Sequence, residues 1–193
     1  CGEGTGGCCW SAARGRQGSS REGNAQEVRE HELHENPETA FQEHRAVKLI
    51  VNHLADHDIP AENPAFGLDT AIRAEVTSED FDPACHRTIA IMSEYDALPG
   101  IGHGCGHNVM CANSVGAFLA LASLARTRPG ALPGRVVLQT TPAEENSTAK
   151  EILAVRGMLD GVDAAIQTHS YAHDVTHQTW LGVRRLRVIF HGV

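Results

Sequence analysis

Apolar positions along this chain change their spacing several times, and each change marks a different element. Residues 40–57, AFQEHRAVKLIVNHLADH, set Phe41, Val47, Ile50, Val51 and Leu54 at helical spacing, which predicts an amphipathic helix with ENPE as the turn leading into it. TAIRAEV (70–76) and RTIAIMSEYD (87–96) read as strands, the second nearly all apolar until Ser93, as a strand covered on both faces would be. Helical spacing returns over 109–127, GRVVLQTTP (134–142) predicts a strand, STAKEILAVRGML (147–159) a helix and VDAAIQTHS (162–170) another strand. Strands alternating with helices predict an α/β fold: a mostly parallel sheet flanked by helices, joined by right-handed crossovers.

The first 27 residues stand apart. They contain no Leu, Ile, Val, Phe or Met and many glycines, which predicts a disordered, non-native N-terminal segment over 1–27. GEGTGG there has the spacing of a dinucleotide-binding loop, but no strand precedes it and no helix follows, so the structural context for phosphate binding is missing.

Composition narrows the picture. With 193 residues, 41% of them hydrophobic, the chain can bury a core of its own. Sixteen basic against 24 acidic residues give a net charge of −8, which argues against nucleic acid or an anionic membrane as partner. The apolar runs fall short of the roughly 18 residues of a membrane span, and no basic-then-apolar leader opens the chain, so the expected location is cytoplasmic. Three of the six cysteines crowd the N-terminus and Cys85, Cys105 and Cys111 are scattered, a pattern of reduced thiols and not of a disulfide scaffold.

The candidate chemistry sits where the strands end. In a parallel sheet the ligand site lies beyond the carboxyl ends of the strands. Strand 87–94 runs into Asp96 and then Cys105 and His107; strand 134–141 runs into Glu144 and Glu145; strand 162–168 runs into His169. Thiolate, imidazole and carboxylate are the donors that zinc and related divalent ions take. Each has a blander reading: a single histidine ending a strand is more often a hydrogen-bonded structural residue, a glutamate pair is usually a solvated face, and Cys105 could pack as a small apolar group. Their coincidence at three successive strand ends favours a metal site. His53 and His57 lie four apart on the first helix, but HLADH lacks the glutamate of a zincin helix, and they read as surface residues.

Four stretches, HENPETAFQEH, SEYDALPGIGHGCGHN, TTPAEEN and GMLDGVDAAIQTHS, resemble the amidohydrolase branch of the aminoacylase and glutamate-carboxypeptidase family of co-catalytic metallopeptidases, from about residue 28 to the end. The likeness is greatest to members that hydrolyse p-aminobenzoyl-glutamate or basic dipeptides, the Xaa-Arg dipeptidase-like members. It implies two divalent metal ions, zinc foremost with manganese or cobalt as options, held by Cys105 as a bridging ligand with His107, Glu145 and His169, and Glu144 as general base. The implied substrate is a small molecule, an N-acyl amino acid or a dipeptide. Glu94 stands where relatives outside this branch have a histidine, and Asn108 where the indole-acetyl hydrolases have an aspartate. By the same resemblance, 28–179 is part of a zinc-peptidase-like catalytic domain and 180–193 the first strand of an inserted α+β lid and dimerisation domain. The expectation is an N-terminal piece of an enzyme whose full-length form is a homodimer. A truncated product that at most binds metal, and a non-catalytic binding module, stay open beside it.

Overall fold

The computed structural model describes residues 30–145, 149–176, 179 and 188–192. The expectations for 1–27, and most of that for 180–193, lie outside these residues.

A five-stranded sheet organises them: β1 (Ala61–Glu62), β2 (Arg73–Thr77), β3 (Arg87–Ser93), β4 (Gly134–Thr140) and β5 (Ala164–Ile166), in the order β1-β2-β4-β3-β5. The pairs β3–β4 and β3–β5 are parallel, as the alternation of strands and helices requires, with Arg87 opposite Gly134 and Ser93 opposite Thr140. On the other side β2 runs antiparallel to both β4 and β1, so the parallel character belongs to β4, β3 and β5.

Helix α1 (His44–Ala55) is shorter than its apolar spacing suggested. Phe41 lies before it with φ 61, outside the helical stripe. The ENPE turn does more than lead in: the Glu38 carboxylate accepts the backbone N–H groups of Arg45 at 3.0 Å and Ala46 at 2.9 Å, two of the first-turn donors that a helix cannot satisfy itself. Residues 30–35, not anticipated as a helix, are helical, and Glu30 accepts a hydrogen bond from Asn108. Helix α2 (His107–Thr127) begins two residues earlier than its apolar run, inside the glycine-rich motif. Helix α3 (Ala149–Val155) is a short segment of the anticipated 147–159.

Side chains on the two faces of the sheet sort into two cores. Leu33, Val47, Ile50 and Leu54 meet Ile72, Ile91, Val136 and Leu138 on one face, together with Cys111, Val115, Phe118 and Leu119 of α2. Ala65, Ala71, Leu153 and Met158 form the second cluster, against which Met92 packs. Ile91 and Met92 are neighbours in β3 and fall in different clusters, which is the two-residue period of a strand covered on both sides. Helix α2, with a mean hydropathy of 1.5, is long and apolar enough to cross a membrane, but half of its apolar window is buried within the fold, as in a core helix. The outer edge is different: Ala164, Ala165 and Ile166 of β5 are all exposed.

Candidate metal centre

The carboxyl ends of β3, β4 and β5 deliver the polar residues to one place. Glu94 follows the last residue of β3 and is fully buried, and Asp96 is buried two positions later. The chain then loops out and returns at Gly106, the residue before α2, which has φ 76. A Cβ at Gly106 would meet Ser170 Oγ at 2.5 Å, so glycine lets the loop lie against the segment that carries His169. From β4 the chain passes through Ala143, with φ 56, into Glu144 and Glu145.

His107 is the hub. Its Nδ1–H donates to the backbone oxygen of Asp96 at 2.9 Å and to Asp96 Oδ1 at 3.2 Å. Both partners are acceptors, so Nδ1 carries the hydrogen and Nε2 of the neutral ring presents its lone pair on the far side. Around Nε2 lie Glu94 Oε2 at 3.2 Å and Glu145 Oε1 at 3.7 Å; Glu94 Oε2 is also 4.0 Å from His169 Nε2, and the two imidazole rings meet edge to face with centroids 6.0 Å apart. Asp96 has a second task, since its Oδ2 accepts the backbone N–H of Glu145 at 2.9 Å. One carboxylate thus orients the first histidine of α2 and a glutamate beyond the β4 end, as carboxylates that hold metal-binding histidines do.

Crowding of carboxylates sets the electrostatics. Burial pushes the Asp96 carboxyl up, but the hydrogen bond from His107 and the backbone N–H of Glu145 and Glu144 outweigh it and hold the group below its usual range. Burial would lower His107, yet the Asp96 hydrogen bond and the Glu94 charge raise it. Glu144 is raised by burial and then by the charge of Glu94, with Lys150 and His107 acting against the shift. Cys105 is pushed up to about 11, first because its thiol hydrogen-bonds the Glu145 carboxylate. A cluster that raises both a carboxyl and a thiol in this way is short of positive charge.

Two groups of side chains among the described residues bring possible ligand atoms within 4.8 Å of one another: Glu94 with His107 and His169, and His107 with Glu144 and Glu145. Their fit to a divalent ion can be judged from the protein atoms. Nε2 of His107 and Oε2 of Glu94 are both buried and neither has a hydrogen-bond partner among the described residues. Leaving such atoms unsatisfied costs about 1–3 kcal/mol each, more for charged groups. An ion between them removes that cost and supplies the missing charge, and nitrogen and oxygen donors at this spacing suit it.

Of the residues singled out in the sequence, His107, Glu144, Glu145 and His169 therefore come together here. Cys105 belongs to neither three-residue group and joins the cluster through Glu145. Glu94 and Lys150 were not assigned a role from sequence. Glu94 occupies a strand end, the same signal that singled out its neighbours; Lys150, whose Nζ donates to Glu94 Oε1, is a lysine on a short helix with no pattern to mark it.

The sequence and the fold are similar to those of known proteins. Residues 90–184 match peptidase family M20/M25/M40. The human Xaa-Arg dipeptidase is 31% identical over 173 residues, covering 81% of this chain and 38% of its own length; for the mouse enzyme the identity is 31%, with 81% and 37% covered. An N-acetyl-L-cysteine deacetylase of Bacillus subtilis is 31% identical over 157 residues, 74% of this chain and 35% of that protein. Among solved structures, a dinuclear metal binding peptidase of the M20 family from Bacillus subtilis superposes with a TM-score of 0.65 at 26% identity, covering 77% of this chain and 43% of that one. The aminobenzoyl-glutamate utilization protein of Klebsiella pneumoniae shares the fold with a TM-score of 0.57 at 19% identity. The chain thus spans less than two-fifths of the length of the dipeptidases it matches. Residues 90–184 of this chain thus match peptidase family M20/M25/M40, and the similar proteins and the sheet point the same way.

Proposed function

We propose that the protein to which this chain belongs is a metal-dependent amidohydrolase that cleaves the amide bond of an N-acyl amino acid or a dipeptide. The observation that carries this reading is the convergence of His107, Glu144, Glu145 and His169 beyond the ends of three parallel strands, with a buried histidine nitrogen that has no hydrogen-bond partner among the described residues. The relatives in hand act on Xaa-Arg dipeptides and N-acetylcysteine by their names, which supports this substrate class.

A pair of divalent ions held by Cys105, His107, Glu145 and His169 would polarise the amide carbonyl and acidify bound water into the neutral range. Two imidazoles and a thiol favour zinc, with manganese or cobalt as substitutes. The chain's own residues do the rest. Asp96 fixes the His107 ring so that only Nε2 faces the centre. Glu144 is the general base: its raised carboxyl takes a proton from water as the C–O bond forms and returns it to the departing amine nitrogen as the C–N bond breaks. Glu145, its backbone fixed by Asp96 and its carboxylate touching the Cys105 thiol, stays with the centre. The scattered cysteines of the sequence are the only ground for a reducing, cytoplasmic setting, and the family resemblance alone supports a homodimeric long form.

The test measures bound metal, and free amino acid released from N-acetyl amino acids and Xaa-Arg dipeptides, for residues 1–193 and for a form carrying the downstream coding sequence. Metal binding with hydrolysis by either form supports the reading, and hydrolysis by the longer form alone assigns residues 1–193 to metal capture without turnover. Metal binding without hydrolysis in both reduces the protein to a metal-binding module. Absence of bound metal in both overturns the reading altogether.

A further inference from the structure

We infer that Glu94 is itself a ligand of the centre and that Lys150 is the positioning residue that selects which of its oxygens faces the ion; this rests on the metal-hydrolase reading above. Glu94 follows β3 directly and has no exposed surface. Its two oxygens have different surroundings. Oε1 accepts a hydrogen bond from Lys150 Nζ, while Oε2 points at His107 Nε2, 3.2 Å away, and lies 4.0 Å from His169 Nε2. Oε2 makes no hydrogen bond among the described residues, and neither does the buried Nε2 that faces it.

A purely structural ion pair would not look like this. A carboxylate buried to neutralise an imidazolium gains its stabilisation by aligning with the ring N–H, and without alignment the desolvation cost is not recovered. His107 already spends its Nδ1–H on Asp96, and the contact at Nε2 is close without being bonded. Two buried donor atoms aimed at a common point, with His169 Nε2 within reach, form a donor set that suits a cation.

Lys150 completes the case. It is the second residue of α3, where the helix dipole disfavours a cation, and its side chain is 39% exposed while the carboxylate it meets is fully buried. The lysine reaches inward to engage one oxygen, which leaves the other no freedom to rotate away from the histidines. A carboxylate tethered at one oxygen binds an ion through the other, with its geometry fixed in advance.

The experiment uses residues 1–193 and cobalt(II), read by equilibrium dialysis and by the visible absorption of the bound ion, with folding followed by circular dichroism. Glu94→Gln is expected to weaken cobalt binding by at least about tenfold and to shift the absorption bands, since an amide oxygen replaces a carboxylate in the coordination shell. Lys150→Met is expected to weaken it several-fold, Lys150→Arg to restore most of the loss, and the double variant to be no worse than Glu94→Gln alone. If Glu94→Gln folds and binds cobalt within twofold of the parent with unchanged bands, Glu94 is not a ligand while the centre itself stands. Should Glu94→Gln fail to fold, Lys150→Met decides: a several-fold loss with altered bands upholds the inference, and unchanged affinity and bands overturn it. Failure of both the parent chain and the longer form to take up cobalt sinks the underlying metal reading and this inference with it.

Discussion

Glu43 Oε1 accepts the backbone N–H of Ala143 at 2.8 Å, a hydrogen bond between residues 100 apart that joins the start of α1 to the end of β4. Both residues are fully buried, and Ala143 holds φ 56, a conformation that side chains other than glycine adopt at a cost of about 1–2 kcal/mol. That turn directs Glu144 and Glu145 into the centre. Removing the acceptor leaves a buried N–H unsatisfied, so Glu43→Ala should destabilise the fold by about 1–3 kcal/mol. Glu43→Gln retains an oxygen for the bond and should lose less. Urea unfolding of the two variants beside the parent checks this, and equal losses would show that the carboxylate fills space and does not hold the turn.

Asp96 offers a sharper test of how the centre is built. It binds His107 through the ring and Glu145 through the backbone, and touches no substrate in this scheme. Replacing one outer-shell partner typically costs 10–100-fold in metal affinity. Asp96→Ala should fall about in that range by equilibrium dialysis. Asp96→Asn retains an acceptor and should bind better than the alanine variant, unless its amide NH₂ turns to His107. An alanine variant that retains metal within twofold would mean that His107 needs no orientation from this side chain.

How much of this could be read from the sequence depends on what each residue answers to. The β3 to β5 sequence of strands was legible because β3 is covered on both faces and its apolar run has no alternative as an amphipathic helix. The antiparallel attachment of β2 was not, since RAEVT carries no mark of direction and its pairing with β4 is settled by the fold around it. Helix α2 was foreseen from 109, whereas it starts at His107 because Gly106 supplies the left-handed turn that launches it; apolar spacing says nothing about such a turn. In the centre, Glu144, Glu145, His107 and His169 stood out by residue type at strand ends. Lys150 did not, because a lysine is ordinary on any helix and only the buried carboxylate beside it gives it meaning.

Asp163 gives a pH signature away from the centre. Its carboxylate accepts the Thr88 N–H at 2.8 Å and pairs with Arg87 at 2.7 Å, joining the approach to β5 to the start of β3. The backbone hydrogen bond first, and Arg87 second, hold this carboxyl below the ordinary 3.8. A depressed acid contributes stability that is complete above 3.8 and is lost as pH falls toward the lower folded value, because the unfolded chain takes up its proton first. Asp163→Asn lacks this dependence. The stability difference between parent and variant should therefore stay constant from neutral pH down to about 4 and shrink below it. A difference that is flat through pH 3 would show that the pair is not maintained in solution.

Gly106 closes the loop onto the segment after β5 that carries His169, and two separate effects make it intolerant of a side chain. Its φ of 76 strains any L-residue, and an added Cβ would sit 2.5 Å from Ser170 Oγ, next to His169. Strain alone costs about 1–2 kcal/mol. The steric part should act on metal binding, because a displaced Ser170 moves its neighbour His169, while the strain part should act mainly on stability. A pair of variants separates them. Gly106→Ala should lower both stability and cobalt affinity; adding Ser170→Gly removes the clashing hydroxyl and should recover much of the affinity with the stability loss left in place. Measuring unfolding and dialysis on the same three proteins checks both halves at once. If the second substitution restores stability and leaves the affinity low, the contact with Ser170 bears on the fold and the position of His169 is set by something other than this loop.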